Sequence, residues 1–77
     1  MQNITIYTTP TCGFCTMAKN YLRSKKIDFT EIDITKDLDG MNWVLDHTGQ
    51  MGVPVIIIGD ELIVGFNKPK IAQLLGL

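Results

Sequence analysis

The chain holds two cysteines, and they stand three positions apart in Cys12-Gly13-Phe14-Cys15. At the start of a helix that spacing puts the second sulfur one turn along the same face, within bridging reach of the first. A disulfide there encloses only Gly13 and Phe14, so it restricts the unfolded chain little and stabilises weakly. Such a bond suits a pair that opens and closes. Cys12, at or just before the helix start, meets unpaired backbone N–H groups and the positive end of the helix dipole, which favour thiolate over thiol. Cys12 is therefore read as the attacking nucleophile. Cys15, in the first turn and on the buried stripe, is read as the resolving thiol. Thr11 and Gly13 flank Cys12 at this turn and are read as supporting its thiolate. Two buried, inert cysteines are the plain alternative, but a helix tip among Thr, Pro and Gly is a poor place to bury them.

The rest of the composition narrows the function classes. Two cysteines are too few for a disulfide-stapled scaffold, and with one histidine they cannot complete a four-ligand zinc site, so no metal is expected. Seven basic against eight acidic residues and a pI near 5.6 leave no electrostatic footprint for nucleic acid or an anionic membrane. A hydrophobic share of 45% and a mean hydropathy of +0.15 exclude a disordered chain. A domain of 77 residues buries only about 60% of its unfolded surface, so the core is thin and the chemistry belongs at the surface, with no tightly bound cofactor. The opening Met1-Gln2-Asn3-Ile4-Thr5 shows no cationic stretch ahead of an apolar run, and the longest such run is Val55–Ile58. A cytoplasmic protein is expected, and in a reducing compartment a cysteine pair is catalytic or metal-binding rather than a static staple.

Pattern then supplies the elements that must hold the pair. Residues 4–8 alternate β-branched and aromatic side chains and read as a strand ended by Thr9-Pro10-Thr11. A helix from Cys12 or Gly13 follows, with Cys15, Ala18 and Leu22 on one stripe, Tyr21 beside it, and Lys25 and Lys26 at its end. Residues 29–34 alternate again, which completes a βαβ unit with a parallel crossover. Residues 37–48 form a second helix with Met41, Val44, Leu45 and Thr48 inward, weakened by Gly40 and stopped by Gly49. The apolar run over 53–58 suggests a strand covered on both faces. Gly59-Asp60 turns it back into residues 62–64. Lys68-Pro69-Lys70 opens a last helix with Ile71, Leu74 and Leu75 inward. The order is β-α-β-α-β-β-α in one domain over residues 1–77.

A C-x-x-C between a strand and a helix in such an order is a redox signature. In these features, in Gly52-Val53-Pro54 before the third strand and in Gly65-Phe66 before the last helix, the chain resembles the glutaredoxin family of the thioredoxin superfamily. The resemblance implies an α/β, thioredoxin-like three-layer sandwich on a four-stranded mixed sheet. It implies a cis proline at Pro54 facing the cysteine pair, with the backbone of Val53 pairing with substrate. Gly65 and Phe66 join this contact set, and Phe14, exposed between the cysteines, serves as a partner contact. Lys19 matches a lysine common after glutaredoxin cysteine pairs and is assigned to thiolate support, with a solvated helix lysine as the alternative.

Two branches divide the resemblance. Glutathione-dependent members carry Lys, Thr and Gly-Gly-x-Asp-Asp where this chain has Thr9, Gly52 and Gly65-Phe66-Asn67-Lys68. NrdH-type redoxins, recharged by thioredoxin reductase, carry Gly-Phe followed by Arg-Pro-Asp, similar to the stretch from Gly65 to Lys70. Gly13-Phe14 departs from that branch. The implied function is reduction of protein disulfides through a mixed disulfide by a monomer, with ribonucleotide reductase among the candidate substrates. Thioredoxin reductase or glutathione is the electron donor. The alternative is an iron-sulfur carrier, because Gly13-Phe14 also resembles monothiol glutaredoxins that bridge a [2Fe–2S] cluster across a dimer.

The charges are segregated. All eight acidic residues fall between Asp28 and Glu61, opposed there only by Lys36, while the other six basic residues fall in the first and last helices. If those helices share one face of the sheet, the molecule is electrically polar and its basic face steers acidic partners; ordinary solvated charges screened beyond about 8 Å are the alternative. His47 is read as a solvated helix residue and Trp43 as a flank of the core.

Overall fold

The computed structural model describes residues 3–49 and 54–76. Its elements are β1 (Ile4–Thr8), α1 (Gly13–Ser24), β2 (Thr30–Asp33), α2 (Leu38–Thr48), β3 (Val55–Ile58), β4 (Glu61–Val64) and α3 (Lys68–Leu75). The strands lie in the order β2-β1-β3-β4, with β1 parallel to β2 and the other two pairings antiparallel. This is the expected mixed sheet.

Strand alternation sends the core to both sides. Ile4, Ile6, Ile56, Ile58 and Ile63 pack with Ala18 and Leu22 of α1 and Ile71 of α3. On the opposite face Tyr7 and Val55 pack with Ile34 and with Val44 of α2. The result is three layers, α1 and α3 on one face and α2 on the other. Val55, Ile56 and Ile58 are fully buried, as a strand covered on both faces requires.

Local signals explain most boundaries. Asp37 caps α2 by accepting the Gly40 N–H at 2.9 Å, and Gly49 closes it in the left-handed region at φ +74°. Asn67 caps α3 by accepting the Lys70 N–H, with Pro69 in the first turn where its missing N–H costs nothing. The second strand is shorter than its alternation suggested. Phe29 and Ile34 lie outside it, Phe29 packed against the α1 layer and Ile34 buried beneath α2.

Two expectations for α2 are corrected. Leu45 points outward, 38% exposed, because the inward arc of this short helix is filled by Gly40, Met41 and Val44. Gly40 is an adaptation rather than a weakness: a Cβ there would lie 2.8 Å from Cγ2 of Ile32, so only glycine lets the helix approach β2 this closely. Trp43 flanks the core as expected. It stacks on Tyr7 at 5.0 Å and on His47 at 3.8 Å, so His47 is ring-stacked, with Nδ1 2.8 Å from the Trp43 carbonyl, rather than merely solvated.

Candidate active site

The loop after β1 delivers Cys12 to the tip of α1. Its N–H donates to the Thr9 carbonyl at 3.3 Å, a tight turn that ends the strand, and its backbone is extended at φ −90° and ψ 110°. Those angles make Cys12 the N-cap, and its sulfur accepts the Cys15 N–H at 3.1 Å. A sulfur in this role takes the place of the usual capping oxygen.

Cys15 lies one turn in, fully buried beside Ala18 and Leu22. The two sulfurs are not bonded to each other. Burial pushes the Cys15 thiol up to about 12, and its hydrogen bond to the Cys12 sulfur adds to this; the Thr9 backbone and the Lys19 charge oppose it. One sulfur caps the helix at the surface, and the other is buried and holds its proton. The two sulfurs are therefore chemically unequal.

The other assigned residues fall as follows. Gly13 opens α1, and nothing lies within 4 Å of where its Cβ would be, which leaves that side of Cys12 open. Thr11 is exposed in the turn before Cys12. Phe14 is 63% exposed and, with Gly13 and Met17, lines a shallow apolar depression beside the pair. Pro54 is buried and its carbonyl accepts the N–H of Gly65, itself at φ +87°, at 2.8 Å. Phe66 is half-buried, packed edge-on against Tyr21 at 6.1 Å and against the α1 layer. Val53 lies outside the described residues. Lys19 is a partly exposed helix lysine held in an ion pair: its Nζ sits 2.8 Å from Oε2 of Glu31. Sequence reasoning missed Glu31 and Thr8, whose hydroxyl donates to that same oxygen at 2.9 Å. Their only signal is an alternation that turns both residues toward α1. Among the described residues no three His, Cys, Asp or Glu side chains gather to hold a metal. No described helix is long and apolar enough to cross a membrane.

The glutaredoxin family model matches residues 4–63. The chain belongs to the glutaredoxin family. Its members are thiol-disulfide oxidoreductases, acting on disulfides with glutathione or thioredoxin reductase as donor. An uncharacterised glutaredoxin-like 8.6 kDa protein encoded in the rubredoxin operon of Clostridium pasteurianum is 44% identical, over 94% of this chain and 96% of its own. Glutaredoxin 3 of Escherichia coli is 35% identical, over 84% of this chain and 78% of its own. The NrdH-redoxin structure from Escherichia coli superposes with a TM-score of 0.82 at 30% identity, covering 94% of this chain and 93% of that one. Glutaredoxin and NrdH-redoxin relatives thus both align with nearly the whole fold.

Proposed function

We infer that this glutaredoxin-family chain is a dithiol electron carrier that reduces protein disulfides. The observation that carries the reading is the pairing of a helix-capping Cys12 sulfur with a fully buried Cys15 one turn away. The Cys12 thiolate attacks one sulfur of a substrate disulfide. A Cys12–substrate bond forms, the substrate S–S bond breaks, and the departing thiolate takes a proton from solvent. Cys15 then gives up its proton and attacks the Cys12 sulfur. The Cys12–Cys15 disulfide forms, the second substrate thiol leaves, and two electrons have passed from the redoxin to the substrate.

The partner approaches across the open side at Gly13. Phe14 contributes apolar contact, Pro54 with Gly65 and Phe66 contributes a second wall, and the backbone of Val53 is assigned to substrate by family resemblance. Thr11 and Gly13 support the attacking thiolate from the turn. The bond between the Gly65 N–H and the Pro54 carbonyl supports this wall as a fixed feature. The protein works as a cytoplasmic monomer without a resident cofactor; glutathione or thioredoxin reductase recharges it, and ribonucleotide reductase is one candidate substrate.

Reduction of a protein disulfide coupled to NADPH, run once with thioredoxin reductase and once with glutathione plus glutathione reductase, tests the reading and names the donor. Wild type is expected to turn over with at least one system and Cys12→Ser with neither. Full activity of Cys12→Ser would refute the role given to Cys12.

A further inference from the structure

The resolving step needs a thiolate at a buried position, and one ion pair bears on it. Lys19 follows Cys15 by four residues, so the two share a face of α1 one turn apart. The carboxylate of Glu31, reaching from β2, holds the Lys19 ammonium at 2.8 Å. The buried Thr8 hydroxyl of β1 donates to the same Oε2, fixing the carboxylate from a second side. Lys19 and its bond keep the Glu31 carboxyl below its ordinary range, so the carboxylate is charged at neutral pH. The groups that bear on Cys15 directly are Cys12 and Lys19 from its own helix and the Thr9 backbone from the loop. Asp33 of β2 lies within the field of Lys19, and Arg23 of α1 bears on Glu31.

We propose that Lys19 and Glu31 are opposed positioning residues for the second step, Lys19 favouring the Cys15 thiolate and Glu31 restraining Lys19. The proposal rests on the dithiol reading above. An ion pair that merely tied α1 to β2 would respond alike to loss of either partner. An electrostatic control responds with opposite signs, because Glu31→Gln leaves an unopposed ammonium near Cys15 and Lys19→Gln leaves an unopposed carboxylate.

An aromatic disulfide whose thiolate absorbs visible light separates the two steps in one stopped-flow trace. Attack by Cys12 releases the first aryl thiolate at a rate that depends on reagent concentration. Attack by Cys15 on the Cys12–aryl disulfide releases the second at a rate that does not. For Lys19→Gln the second release is expected to slow by between about threefold and tenfold at pH 7, its pH profile moving upward by about half to one unit. For Glu31→Gln it is expected to speed up, with the profile moving downward. The double variant falls between the two, and added salt shrinks both single effects. Both single variants moving in the same direction, or neither moving, would overturn the proposal. Absence of a second release in wild type would instead refute the dithiol reading itself.

Discussion

Cys15 keeps its proton at neutral pH because burial opposes the thiolate and because its thiol faces the Cys12 sulfur, which together push it up to about 12. The second cause is conditional. In the proposed mixed disulfide the Cys12 sulfur would carry no charge and accept less strongly, which would let Cys15 ionise more readily when its attack is needed. Burial remains, so the resolving step should still be limited by deprotonation. Below its ionisation point the thiolate fraction rises about tenfold per pH unit. The rate of substrate release from the mixed disulfide is therefore expected to climb steadily from pH 7 to pH 9, measured by stopped flow. A flat profile over that range would mean that the Cys15 proton does not limit the step. The placement of the two sulfurs was legible in the sequence, since spacing and the helix tip fix which one caps and which is buried. The Lys19 partner was not, because Glu31 is twelve residues away and meets it only through the β1–β2 register.

The elements that hold the site depend on two glycines for different reasons. Gly40 brings α2 against β2, and an added Cβ would press on a branched methyl of Ile32 that cannot swing away. Alanine in a helix interior normally gains about 1 kcal/mol over glycine, while overpacking a core costs roughly 1–3 kcal/mol. Gly40→Ala is expected to destabilise in urea melts despite its better propensity. In an Ile32→Ala background the same change should stabilise. Gly65 bears on the proposed contact wall: its φ is +87° and its N–H donates to the Pro54 carbonyl. A side chain there costs about 1–2 kcal/mol. Gly65→Ala should lower the denaturation midpoint and raise KM for a protein disulfide more than it lowers kcat. Period and turn chemistry made the seven elements readable. Periodicity could not show that the inward arc of α2 begins at Gly40 and leaves Leu45 outside, because that depends on how close β2 lies.

At the scale of the molecule, the charges are separated only in part, because Glu31 reaches the α1 side and pairs with Lys19. Arg23, Lys25, Lys26, Lys68 and Lys70 are exposed on the α1–α3 side, and Lys25 and Lys68 both approach the Tyr21 ring. Asp39 and Asp46 are exposed on α2, across the sheet. Acidic partners should therefore meet the redox end faster at low salt, and reduction of an acidic disulfide protein should slow as ionic strength rises past the point where screening reaches about 8 Å. A rate independent of salt would leave the segregation without a role in encounter. The division of labour between the cysteines is probed most directly by the intact mass of the protein after incubation with a disulfide substrate. Cys15→Ser is predicted to hold one substrate moiety in disulfide linkage on Cys12, releasable by dithiothreitol, and Cys12→Ser to hold none. Covalent capture by Cys12→Ser, or none by Cys15→Ser, would contradict the assignment.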